Sequence, residues 1–375
     1  MPMNIPCAKP SITAREIAYV TDAVTNGWGA ACYGYITKFK EYLSDFFDSP
    51  HVWPVSSCHG ALHVALMALG VGSGDEVIVP DSTWVGSVFP ITWTGATPVF
   101  VDVQKDTWCL DPAKIEASIT PRTKAIIAVH LYGNMCDMSS IMSVAEKYGL
   151  PVIEDAAEAI GSKWGSQYAG TVADFGVFSL HGTKTLTSGE GGILLSNRDD
   201  LAVTVSAIES QGRKAGAKIF WVDELGLKYK MSNIDAALGL AQFERAEELI
   251  ASKREVFGWY KEALASVPDI TINVEPQNTT NGYWMPTVIF GTSWGMTIEK
   301  RDALIDAMNT KGLAIRPFFY PISLFPMYKS VPGNIVSYDL YKRGINLPSY
   351  LGLTRDQIRK IVLVLKLFLN NKACE

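Results

Sequence analysis

Between residues 51 and 196, short apolar runs alternate with stretches of helical spacing. The runs are Val52-Trp53-Pro54-Val55, Val77-Ile78-Val79, Thr97-Pro98-Val99-Phe100-Val101, Ala125-Ile126-Ile127-Ala128-Val129, Pro151-Val152-Ile153, residues 175–180 and Ile193-Leu194-Leu195. Continuous β-branched runs, rather than alternating ones, predict strands covered on both faces. Helical stretches at 61–69, 111–118 and 138–148 lie between them, which predicts an α/β fold with a mostly parallel central sheet and helical crossovers. Such sheets bind ligands beyond the carboxyl ends of their strands. Upstream, Ser11-Ile12-Thr13 predicts the cap of a helix running to Thr25, with Ile17, Val20 and Val24 as its core face. An aromatic loop from Asn26 through Trp28 to Tyr35 and a second helix to residue 47 follow. The loop reads equally as a packed turn and as a lid or substrate platform. Beyond Gly192 the spacing is helical at 199–209 and over one long or broken run at 233–261, with Ala236, Leu240, Phe243, Leu249 and Ile250 facing the core. From about residue 265 strands at 285–290 and 314–316 flank a helix at 298–310, and a last helix covers 354–368. This predicts two domains: a large one over 1–250 and a smaller C-terminal α+β domain over 251–375.

Composition narrows the function. A chain of 375 residues, 48% of them apolar, is long enough for a large core. The net charge of -5, with the basic residues scattered, argues against a nucleic-acid partner. Met1-Pro2-Met3-Asn4-Ile5-Pro6 lacks the basic start and apolar core of a signal peptide. The apolar run 361–369 is interrupted by Lys366 and is too short to span a bilayer. The six cysteines (Cys7, Cys32, Cys58, Cys109, Cys136, Cys374) and five histidines follow neither a disulfide nor a metal spacing. These features predict a cytoplasmic enzyme with no metal and no membrane contact.

The chemistry concentrates at the strand ends. Lys184 follows the apolar run 175–180 and precedes the turn Ser188-Gly189-Glu190-Gly191-Gly192. Poor solvation of a lysine favours its neutral, nucleophilic form, as amine catalysis on carbonyls requires. The same pattern also describes an ordinary solvated turn lysine. Asp155 closes an apolar strand before the small Ala156-Ala157, so it is either a buried carboxylate in need of a cation or a helix cap. Ser57-Cys58-His59-Gly60, between a strand and a helix, exposes backbone N–H groups at a dipole's positive end. Ser179 and Trp84 also sit at strand ends; Trp84 reads either as a ring cover or as core. Pyridoxal 5'-phosphate (PLP) catalysis needs an amine, an acid for the pyridine nitrogen, an anion site and a surface against the ring. All four parts occur in order along one alternating chain.

A longer set of motifs carries a resemblance. Gly74-Asp75-Glu76-Val77-Ile78-Val79-Pro80, Thr83-Trp84, Gly95-Ala96-Thr97-Pro98, Val129-His130-Leu131-Tyr132-Gly133, Glu154-Asp155-Ala156-Ala157-Glu158-Ala159, Lys184 with its glycine-rich turn, and Tyr229-Lys230-Met231-Ser232-Asn233 resemble the DegT/DnrJ/EryC1/StrS sugar aminotransferases from about residue 8 to 370. The resemblance implies an aspartate-aminotransferase-like fold (fold type I), a homodimer with its active site at the subunit boundary, and PLP. It implies Lys184 as the Schiff-base lysine, Asp155 at the pyridine nitrogen, Glu158 near the 3-hydroxyl and Trp84 on the ring. Ser57, Ser179 and the amides of Cys58 and His59 would hold the phosphate. Two positions depart from the family pattern: Cys58-His59 stands where Gly-Thr is usual, and Lys228 stands where an Asn commonly reaches the partner's phosphate. Some members carry His in place of the lysine and dehydrate deoxysugars; Lys184 favours amino transfer. Gln211-Gly212, Arg316-Pro317-Phe318-Phe319-Tyr320-Pro321 and Gly344-Ile345-Asn346-Leu347-Pro348-Ser349 resemble members that aminate 4-keto-6-deoxyhexoses. The implied reaction takes an amine from glutamate to a nucleotide-linked keto sugar in deoxyaminosugar (O-antigen) biosynthesis, with Arg316, Trp28, Tyr320 and His181 as substrate contacts. For Arg316 a structural ion pair is an equal reading. The alternatives are a keto-cyclitol acceptor and a PLP-binding regulatory protein without turnover.

Overall fold

The computed structural model describes residues 4–214 and 216–372; Cys374 and the first three residues lie outside them. Seven strands make the central sheet: β1 His51–Val55, β2 Glu76–Pro80, β3 Thr97–Val101, β4 Thr123–Val129, β5 Val152–Asp155, β6 Phe175–Ser179 and β7 Gly192–Ser196. Their spatial order is β1-β7-β6-β5-β4-β2-β3. Strands β2 to β6 pair parallel, and β7 runs antiparallel to both β6 and β1. The sheet is therefore parallel except for β7. Its middle strands are covered on both sides, as the unbroken runs at Val77–Val79 and Ala125–Ala128 require.

This topology brings the carboxyl ends of β1, β2, β4, β5 and β6, and the start of the reversed β7, to one edge of the sheet. The helix after β1, α3 (Cys58–Ala68), follows α1 (Ala14–Asn26) and α2 (Gly34–Phe47) in the chain and begins at that edge. Ser57 caps it, its Oγ accepting the Gly60 N–H at 3.0 Å. The start of β7 packs directly on this cap: a Cβ on Gly192 would lie 2.5 Å from the Ser57 carbonyl carbon and 2.6 Å from the Cys58 nitrogen. Both atoms are backbone and cannot swing aside. We expect Gly192→Ala to destabilise the fold by about 1–3 kcal/mol and to weaken cofactor retention, read by thermal unfolding and by the cofactor absorbance left after dialysis.

The helix α1 is capped as the sequence predicts, Thr13 and Glu16 forming a reciprocal capping box. Its inward face differs from the predicted one. Ile17 and Val24 are 60% and 48% exposed, whereas Glu16 and Ala23 are buried. Glu16 is drawn inward by Arg245 and Gln242, each donating to its Oε1 at 2.6 Å. Burial acts to raise the Glu16 carboxyl, but hydrogen bonds from Thr13 and Arg245 outweigh it and bring it down to about 2; the pairing with Arg245 and Gln242 inverts the apolar face. The run 233–261 is indeed broken: after α4 (Met138–Tyr148) and α5 (Asp199–Glu209) come α6 (Asn233–Phe243) and α7 (Ala246–Leu264), parted at Glu244 and Arg245.

The smaller lobe is an antiparallel sheet of β8 (Ile270–Ile272), β9 (Thr287–Phe290), β10 (Arg316–Pro317) and β11 (Gly344–Asn346), ordered β8-β9-β11-β10. Helices α8 (Ile298–Thr310), α9 (Ile335–Arg343) and α10 (Arg355–Lys372) complete it. The predicted strand 314–316 shortens to β10 because Ala314 and Leu313 pair instead with Ile5. Ile5 thus lies in the small lobe's core, and α7 contributes Ala246 and Leu249 to the large core but Val256 and Tyr260 to the small one. Among the described residues no helix is long and apolar enough to cross a membrane, and no group of three or more His, Cys, Asp or Glu could hold a metal ion.

Candidate active site

A cavity of about 470 Å³ opens at the carboxyl edge of the sheet. Ser57, Cys58, His59, Trp84, Asp155, Glu158, Ser179, His181, Lys184 and Arg316 all line it. These are ten of the thirteen positions singled out in the sequence, gathered from four strand ends and the small lobe. The other three lie elsewhere in this chain. The Tyr320 hydroxyl takes a hydrogen bond from the buried Arg301 at 3.0 Å, and its ring packs on Tyr341. Trp28 is 64% exposed with its indole N–H on the Val24 carbonyl, and Lys228 is exposed beside Ser210.

Lys184 stands in the turn after β6, its Nζ 3.3 Å from Glu158 Oε1 and 3.8 Å from the centre of the Trp284 ring. Its side chain is 13% exposed. Glu158 also accepts the Tyr132 N–H at 2.8 Å. Burial pushes the Glu158 carboxyl above its ordinary range, against the opposing pull of the Lys184 charge.

Asp155 ends β5 and is 3% exposed. Its Oδ2 accepts from the Ser87 hydroxyl at 2.7 Å and its Oδ1 from the Ala157 N–H at 3.0 Å. Both donors are neutral, and no cationic side chain among the described residues pairs with this carboxylate. A buried carboxylate so placed on a cavity wall suits a cationic ligand. Its neighbour Glu154 points to the opposite face, as alternation along a strand requires. There it accepts the N–H groups of Gly170, Val172 and Ala173, and His130 Nε2 lies 3.0 Å away. The His130 Nδ1 accepts the Cys136 N–H at 3.2 Å, which assigns the ring proton to Nε2 and makes Nε2 the donor to Glu154. One strand end thus builds a supporting network behind the cavity and a carboxylate within it.

Free hydrogen-bond donors lie along the wall of the same cavity. The N–H groups of Cys58 and His59, in the first turn of α3, have no acceptor among the described residues. The Ser179 hydroxyl oxygen accepts a long bond from the His181 N–H at 3.4 Å, leaving its proton free to donate. Trp84, 54% exposed, stands beside Phe319 with ring centres 5.6 Å apart and offers a flat surface to the cavity. An amine, an unpaired carboxylate, free donors at a helix start and an aromatic face fit PLP, whose pyridine nitrogen needs the second of these and whose phosphate needs the third.

Three contributors were not legible in the sequence. Ser87 was hidden in the irregular stretch after Trp84, Trp284 lies in a segment without periodicity, and Phe319 stood in the stretch 316–321 with no role of its own. Trp284 closes over Lys184 and fixes the turn, its indole N–H donating to the Thr183 carbonyl at 2.8 Å.

A mostly parallel sheet with a cofactor cradle at its carboxyl edge and a small lobe over it defines a PLP-dependent aminotransferase of fold type I. The chain belongs to the DegT/DnrJ/EryC1/StrS aminotransferase family, whose model matches residues 10–366. It is 39% identical to the GDP-perosamine synthase of Escherichia coli O157:H7, over 98% of this chain and 99% of that protein. The GDP-perosamine synthase of Caulobacter vibrioides is 38% identical, with 96% and 97% covered. Among solved structures, the Streptococcus pneumoniae protein Spr1654, named for sugar amino transfer and solved in a PLP form, superposes with a TM-score of 0.92 at 27% identity over 98% of this chain and 99% of that one.

Proposed function

We propose that this enzyme moves an amino group from glutamate to the keto group of a nucleotide-linked 4-keto-6-deoxyhexose, in the cytoplasm. The observation that carries the reading is the end-to-end kinship with GDP-perosamine synthases, joined to a cavity in which Lys184 is present and not substituted by histidine. When bound, PLP supplies an aldehyde that carries the amine and a ring that takes up electrons.

The chain's own residues do the rest. Lys184 Nζ would hold the cofactor at rest and, once free, move the proton between the carbon losing the amine and the carbon gaining it. Asp155 would keep the proton on the pyridine nitrogen, with Ser87 and the Ala157 amide fixing the carboxylate's direction. Glu158 would stand by the ring hydroxyl, Trp84 against the ring face, and Ser57, Ser179 and the free amides at the start of α3 at the phosphate. Arg316, on β10, offers a guanidinium fork to the carboxylate of glutamate or the phosphates of the sugar nucleotide; His181 lines the same cavity.

A second copy of the chain would complete the site. Ile17, Val24 and Trp28 leave an apolar face uncovered, and Ile219, Phe220 and Leu225 are 87%, 96% and 92% exposed in the segment that leads to Lys228. Such exposure is unusual on a chain that stays monomeric. A double substitution, Phe220→Asp with Leu225→Asp, is expected to shift the protein from dimer to monomer in light scattering and to lower turnover.

The test of function is direct. Protein treated with glutamate is offered a GDP-linked 4-keto-6-deoxyhexose or a keto-cyclitol, and products are identified by mass spectrometry. Formation of the amino sugar is expected. An aminocyclitol alone, or a cofactor that glutamate fails to convert, would contradict the reading.

A further inference from the structure

The His59 side chain occupies a place that the backbone contacts of its own residue do not account for. It is the second residue of α3, so its N–H already points into the anion site. Its ring stacks on Trp93, with centres 5.9 Å apart and planes at 29°, and its Cε1 and Nε2 would lie 3.0 and 3.1 Å from a Cβ on Gly86. Gly86 and His59 both line the cavity. The ring is held by packing on Trp93 and Gly86, and neither ring nitrogen has a hydrogen-bond partner among the described residues. His63, one turn further along the helix, packs on the same Trp93 but is engaged by the Tyr229 hydroxyl at 3.2 Å. His59 is the free one of the pair.

The geometry points to the His59 imidazole, and not only its N–H, as a proton-carrying ligand of the cofactor's phosphate. This rests on the assignment of PLP to the cavity made above. The charged groups that face the ring are Asp155 from β5, Glu190 from the glycine-rich turn and Lys184 from the turn after β6. Burial is the leading influence and lowers the imidazole below its ordinary value; the two carboxylates raise it and the lysine lowers it. The ring is thus mostly neutral without an anion at physiological pH. A phosphate dianion against it favours the imidazolium, so binding of the phosphate and uptake of a proton by His59 are linked. The sign follows: phosphate affinity is greatest at low pH and falls as pH rises through the raised pKa of the bound state. A hydroxyl at this position has no such dependence.

The probe is pyridoxamine 5'-phosphate, which cannot condense with Lys184. Its Kd and the protons taken up on binding are measured by titration calorimetry in buffers of different ionisation enthalpy, between about pH 6.5 and 8.5, for the wild type, His59→Thr and His59→Gln. Protonation of the ligand itself is common to all three. The wild type is expected to bind about tenfold tighter than either variant at the acid end, the scale of one charge-assisted hydrogen bond, to lose that advantage toward the alkaline end and to take up more protons than either. Equal uptake and parallel pH profiles in all three would overturn the role of His59 while leaving the cofactor site standing. Failure of the wild type to bind the probe at all would overturn the site and this role with it.

Discussion

Lys184→Ala is expected to lower amino transfer by about 10⁴-fold, the upper range for loss of a group that both moves a proton and activates a carbonyl. Cofactor binding should survive, because the anion site at α3, Ser179 and Asp155 are untouched. The variant's absorbance should no longer change from the lysine-bound to the free-aldehyde form on denaturation, since no such bond exists to break. Stability should change little. The Lys184 amine is one partner of an ion pair with Glu158, and the Glu158 carboxyl, already shifted upward by burial, can take a proton when its cation is removed. A Lys184→Ala protein with retained turnover would require another amine, and Lys253 is the nearest candidate by burial. That lysine, however, donates to the carbonyls of Trp284 and Ser349 at 3.2 and 2.6 Å and is turned away from the cavity wall.

Asp155→Asn should separate activity from stability. The carboxylate is buried, receives hydrogen bonds only from Ser87 and the Ala157 amide, and has no cation of the protein's own. An unpaired buried charge costs stability, so the apo form of the variant should melt at the same temperature as the wild type or above it. Turnover should fall by about 10²- to 10³-fold, because a neutral amide cannot hold the proton on the pyridine nitrogen; that is the scale of one electrostatic contact removed from a water-poor site. The paired readout, apo melting temperature against turnover, distinguishes this from simple structural damage, which would lower both.

Much of the site could be read from the sequence because parallel α/β folds leave a regular trace. Unbroken apolar runs located the strands, and the polar residues that end them had to share one edge. Lys184, Asp155, Ser179 and the Ser57 cap were therefore legible before any coordinates. What escaped was decided by packing across long sequence separations. The inward face of α1 was misread because the Glu16–Arg245 pair, bridging more than two hundred positions, outweighs the apolar positions of the helix itself. Trp284 was invisible because its role comes from where the small lobe meets the Lys184 turn. Tyr320 lies one residue from Phe319, which lines the cavity, and the two face opposite ways; the run of aromatics did not say which. The antiparallel course of β7 was equally silent, since an apolar run reads the same in both directions.

The proposed amino transfer depends on which amine meets the cofactor. Purified holoenzyme reduced with borohydride fixes the cofactor on the lysine that carries it, and peptide mass mapping then locates the label. The expected result is a pyridoxyl group on the peptide containing Lys184 and on no other. A label on any other lysine, or a fully active holoenzyme that takes none, would contradict it.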